Sequence, residues 1–124
     1  AEESVLKKWL KPPYSIDGWR FDVADELDMA AVRYWRESVK QLFPDAVMLA
    51  ETWGSAVRMI APGTFDCAMN YLFRDAAVDF FAHKSITPSE FRNRLAGMLQ
   101  KYPDRNMLSM FHLYYRYNGH HNHM

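Results

Sequence analysis

Asp22 and Glu51 are the acids in this chain best placed for chemistry. Asp22 follows Trp19-Arg20-Phe21, and Glu51 closes the apolar run Val47-Met48-Leu49-Ala50. Each stands where a short strand should end and the next segment begins. A carboxylate pair at the ends of neighbouring strands can divide the labour of bond cleavage, one attacking as nucleophile while the other gives and takes a proton. Arg20 shares the Asp22 side of its strand at period two, opposite Trp19, Phe21 and Val23. The alternative for Arg20 and Asp22 is a structural ion pair tying one strand to its neighbours, and for both acids it is that they are idle.

The elements that must position these residues alternate along the chain. Val5, Leu6, Trp9 and Leu10 form a helical stripe ended by Pro12-Pro13, and a strand follows from about Gly18 to Val23. Asp25, Glu26 and Asp28 open a helix with Met29, Val32, Trp35, Val39 and Leu42 on one face, which stops before Pro44. The strand Val47–Glu51 reads as buried on both faces. Gly54-Ser55 opens a short helical turn closed by Pro62-Gly63, and residues 64–68 make a third strand. Leu72, Phe73, Ala76, Ala77, Phe80 and Phe81 form a helical stripe. Thr87-Pro88-Ser89-Glu90 then starts another helix with a cap, a first-turn proline and a glutamate three residues on. Phe91, Leu95, Met98, Leu99 and Tyr102 should be its buried face, and residues 106–111 a fourth strand. Strand and helix in alternation predict an α/β fold with parallel strands.

Bulk properties narrow the classes. The chain has 124 residues with 15 basic and 15 acidic side chains, so its net charge offers no attraction for nucleic acid or an anionic membrane. Apolar residues make up 49% and aromatics 15%, which predicts a packed core. A single cysteine, Cys67, excludes an internal disulfide and reads as a small buried hydrophobe. No run reaches the roughly 18 apolar residues of a membrane span, and no leader-like segment opens the sequence, so a cytoplasmic location is the default expectation.

Gly18-Trp19-Arg20-Phe21-Asp22 resembles the second conserved sequence region of the α-amylase family of glycoside hydrolases, and Glu51-Thr52-Trp53 resembles the third. Phe65-Asp66-Cys67-Ala68-Met69-Asn70-Tyr71, with Phe73-Arg74-Asp75-Ala76 after it, is similar to the neopullulanase, cyclomaltodextrinase and maltogenic amylase branch, as is Asp25-Glu26. The resemblance covers about residues 5–111. It implies part of a (β/α)8 barrel, about four parallel strands equivalent to strands four to seven, with covering helices. It also implies that Asp22 is the nucleophile, Arg20 its orienting partner and Glu51 the acid/base. Glu26, Trp53, Asn70 and Tyr71 would meet sugar. The implied chemistry is retaining hydrolysis or transfer at α-1,4-glucosidic bonds of maltooligosaccharides or cyclodextrins, with no cofactor or metal.

Departures from the family pattern bound that expectation. A complete barrel needs about 250 residues. The region on strand three has no counterpart, and a count without gaps puts Tyr117 and Asn118 where the family has His and its third catalytic Asp. Residues 112–124 read as a divergent Tyr- and His-rich tail, in which His120, His121 and His123 are weak candidates for a transition metal. Four covered strands would leave open edges and an apolar inner face, which predicts a homodimer or higher homo-oligomer. A self-associating module with idle acids is therefore the competing expectation.

Overall fold

The computed structural model describes residues 4–102. Strands β1 (Gly18–Phe21), β2 (Val47–Ala50) and β3 (Cys67–Ala68) form one parallel sheet in the order β1-β2-β3. Gly18 to Phe21 pair with Val47 to Ala50, and Leu49 and Ala50 pair with Cys67 and Ala68. Paired residues project to the same side, so this register sorts the strands. Trp19, Phe21, Met48, Ala50 and Ala68 share one face; Gly18, Arg20, Leu49 and Cys67 share the other.

Helices α1 (Val5–Lys8) and α2 (Met29–Lys40) lie on the first face. The Trp19 indole donates to the Leu6 carbonyl at 3.0 Å, and the Phe21 ring stacks on Trp35 at 6.1 Å. Val32 and Val39 of α2 are wholly buried with Met48 and Ala50, and each such valine contributes about 1.5–3 kcal/mol. The helix begins where Asp28 accepts from the Ala30 amide at 3.0 Å, satisfying a first-turn donor. Leu42, expected on the stripe, lies beyond the helix end and is 55% exposed. Asp25 and Glu26 do not open α2. They belong to a separate 3-10 turn, Ala24–Glu26, because Leu27 and Asp28 run extended before the helix starts.

Residues 54–63 form successive turns with Ala56, Met59 and Ile60 buried, without a helix. The third strand is shorter than expected, since Thr64 turns back to donate to the Ala61 carbonyl at 2.7 Å. Helix α3 (Tyr71–Ala77) runs into a π-helical turn, Val78–His83. That wider turn rotates Phe81 off the stripe, leaving it 67% exposed. Helix α4 (Pro88–Lys101) has the full capping box: Thr87 Oγ1 accepts from the Glu90 amide at 3.2 Å and Glu90 accepts from the Thr87 amide at 2.7 Å. Met98 and Tyr102 are buried, but Leu99, expected on the same face, is 57% exposed. Among the described residues the sheet has three strands. The expected fourth strand, the boundary at 111–112 and the histidine tail lie outside those residues.

An ion cluster locks the amino-terminal side of the sheet. Asp66 pairs with Arg36 at 2.7 Å and Lys40 at 3.0 Å, and accepts from the Met48 amide at 2.9 Å. Lys40 also donates to the Ala46 carbonyl at 2.7 Å. Burial pushes the Asp66 carboxyl upward, but the bonds from Arg36, Met48 and Lys40 outweigh it and leave it below the usual carboxylate range. Helix α2 is thereby tied to the starts of β2 and β3.

Candidate active site

The opposite end of the sheet gathers the reactive side chains. Because the sheet is parallel, the first residues beyond β1, β2 and β3 emerge at one edge, and the face shared by Arg20, Leu49 and Cys67 continues into Asp22, Glu51 and Met69. Arg20 is the hub. One terminal nitrogen meets Asp22 Oδ1 at 2.7 Å and the other meets Glu51 Oε1 at 2.7 Å. Its Nε donates to the Met69 sulfur at 3.4 Å. A single planar fork therefore holds three strand ends.

Glu51 is the buried member, its side chain 7% exposed, and donors reach both of its oxygens. Tyr71 Oη donates to Oε1 at 3.2 Å and the Val23 amide donates to Oε2 at 3.1 Å. Burial and then the bond to Glu51 raise the Tyr71 phenol above its ordinary value, so the hydroxyl stays a donor. Asp22 is open, with 71% of its side chain exposed. A hydrogen bond with the Glu51 carboxyl, and then the Arg20 guanidinium, hold Asp22 below the usual carboxylate range. The site thus pairs an exposed, ionised acid with a buried acid.

Trp53 is 64% exposed and stacks on Tyr71 with centroids 4.5 Å apart and planes 10° from parallel. The pair presents a flat aromatic wall beside the acids. Asn70 sits differently from an exposed sugar contact: it is 1% exposed, and its Oδ1 caps α3 by accepting from the Phe73 amide at 3.1 Å. Its Nδ2 is buried with no hydrogen-bond partner among the described residues. Glu26 is exposed at the end of the 3-10 turn, and among the described residues no hydrogen bond or ion pair ties it to the cluster. Its neighbour Asp25 instead accepts from Thr52 Oγ1 at 3.0 Å, fastening the loop after β1 to the loop after β2. Met69, Thr52 and the Val23 amide were not singled out from sequence. Met69 could have been, since it repeats the period-two side of Cys67, but a backbone donor leaves no mark on residue type.

Cys67, 1% exposed, is held inert: burial, and secondarily Asp66, push its thiol up to about 12.

Parallel strands, covering helices and an acid pair at the strands' carboxyl ends define this molecule as an α/β protein with its site where barrel and doubly wound folds place theirs. No family model matches the chain. It is 41% identical over 109 residues to a cyclomaltodextrinase of Geobacillus thermopakistaniensis, a match covering 88% of this chain and 18% of the relative. It is 38% identical over 109 residues to neopullulanase 2 of Thermoactinomyces vulgaris, again covering 88% and 18%. Among solved structures it superposes on a cyclomaltodextrinase with TM-score 0.77 and 37% identity, covering 82% of this chain and 17% of the other. It also superposes on the cyclic α-maltosyl-(1→6)-maltose hydrolase of Arthrobacter globiformis with TM-score 0.76 and 31% identity, covering 82% and 23%. The chain belongs to the α-amylase family of glycoside hydrolases, in the cyclomaltodextrinase, neopullulanase and maltogenic amylase group. It spans about a fifth of the length of the curated relatives it matches.

Proposed function

We propose that the cluster is the catalytic core of a retaining hydrolase or transglycosylase acting at α-1,4-glucosidic bonds of maltooligosaccharides or cyclodextrins. Asp22 attacks the anomeric carbon and forms a glycosyl ester while Glu51 protonates the departing oxygen. Glu51 then takes a proton from water or an acceptor hydroxyl, which displaces Asp22 and restores the acid pair. Arg20 orients both acids, Tyr71 fixes Glu51, and the outer face of Trp53 is the platform for a sugar ring.

The observation that carries this reading is the Arg20 fork, which holds Asp22 and Glu51 at 2.7 Å each. Two carboxyls on the terminal nitrogens of one guanidinium converge on a single site, as the closely spaced pair of a retaining enzyme does. The openness of Asp22 suits attack on a substrate arriving from solvent. The names of the relatives, cyclomaltodextrinase and neopullulanase, support the substrate class.

Reducing-sugar release from β-cyclodextrin and maltotriose tests the reading. Turnover should fall by about 10²–10⁴ in both Asp22→Asn and Glu51→Gln. Wild-type turnover no greater than that of the two variants would overturn it. A second reading, a self-associating module with idle acids, is supported by the outer edge of β1, which carries no strand among the described residues. Beside that edge a cleft of about 700 Å³ is lined by Val5, Leu6, Phe21, Leu27, Tyr34 and Trp35 among others.

A further inference from the structure

We infer that Val23 is a positioning residue for Glu51, its left-handed backbone converging two successive amides on that residue. The inference rests on the reading of Glu51 as the acid/base, but its test does not require turnover. Val23 lies at φ 45°, ψ 49°, in the left-handed region, where a β-branched side chain meets its own backbone. Its side chain is 41% exposed, so burial gives little compensation. The left-handed turn aims two successive amides at one residue. The Val23 amide donates to Glu51 Oε2 at 3.1 Å and the Ala24 amide to the Glu51 carbonyl at 2.9 Å. The Glu51 amide donates back to the Phe21 carbonyl at 2.9 Å, closing a clasp between the ends of β1 and β2. Were Val23 extended, as its side chain prefers, the Ala24 amide would turn away from the Glu51 carbonyl, because φ and ψ of Val23 set the angle between the two amides. Such outliers persist only where surrounding contacts over-determine them, and here those contacts converge on Glu51.

Amide NMR and hydrogen exchange test this. In an Asp22→Asn background, chosen because Asp22 adjoins Val23 in the chain, adding Glu51→Gln should shift the Val23 amide proton resonance, because it exchanges the carboxyl that accepts from this amide for a side-chain amide. Val23→Gly relieves the strain while keeping the turn, so amides 23 and 24 should exchange no faster than in the wild type while the melting temperature stays level or rises. Val23→Ala keeps a Cβ in the same region and should leave both amides protected. A Val23 amide shift indifferent to Glu51→Gln would overturn the assignment. So would amides 23 and 24 in Val23→Gly exchanging about tenfold faster than in the wild type, since the valine side chain and not the bonds to Glu51 would then be fixing the turn. Neither result would by itself refute catalysis by Glu51, which the cyclodextrin assay reads separately.

Discussion

At the scale of single residues, two clusters use the same chemistry for different ends. At the carboxyl edge Arg20 holds one exposed and one buried acid, an arrangement fit for reaction; at the amino edge Arg36 and Lys40 neutralise Asp66, an arrangement fit for holding elements together. The second cluster has a signature in acid. A carboxyl whose folded value lies below its unfolded one, about 3.9, adds stability that is present above that value and lost as pH falls through the folded one. Unfolding followed by circular dichroism should therefore show stability dropping below about pH 4. Asp66→Asn should cost about 1–3 kcal/mol at pH 7, because it weakens two ion pairs of half-buried groups, and should flatten the decline in acid. An unchanged acid profile in that variant would assign the decline to other carboxyls.

At the scale of elements, the spacing between β1 and β2 depends on a missing side chain. A Cβ built on Gly18 would stand 2.7 Å from the Val47 amide nitrogen and closer still to its carbonyl oxygen, and neither backbone atom can move without breaking the ladder. The glycine in Gly-x-Arg-x-Asp thus has a packing cause: it lets the strand bearing Arg20 and Asp22 lie against the strand that delivers Glu51. Gly18→Ala should lower stability by about 3 kcal/mol, the upper end of overpacking costs. Urea unfolding measures this directly, and a loss under about 0.5 kcal/mol, the ordinary surface range, would show that the strands do not pack this closely in solution.

Local signals located most of the elements. The capping box at Thr87, the Asp28 cap and the valines of α2 are short-range patterns with short-range causes, and each element they mark is present. Where extent differs, backbone conformation that residue type does not mark decides it. The π-helical turn displaces Phe81, and the extended backbone at Leu27 and Asp28 separates Asp25 and Glu26 from α2.

At the scale of the whole molecule, β1 has no strand on its outer side among the described residues, and we propose that this edge meets a second copy of the chain. Val5 and Tyr34, 64% and 69% exposed, flank the cleft beside it and would add apolar contact there. Sedimentation velocity should find a dimer or larger species, and monomers throughout the concentration range would exclude this role for the edge. The reactive cluster stands apart from that question, since Arg20, Asp22, Glu51, Met69 and Tyr71 all come from residues 20–71 and fix one another's geometry.

The sequence by itself determined the alternation of strands and helices, the strand-end acids Asp22 and Glu51, and the family, because apolar periodicity and short motifs are written in residue type. Only the tertiary structure decided that Arg20 serves both acids, that Tyr71 bonds Glu51 while its neighbour Asn70 is buried as a cap, and that Val23 turns left-handed so that its amide and the next both meet Glu51. Those facts depend on strand register and on which backbone groups face one another across the sheet. Distance between elements, which residue type does not encode, sets both.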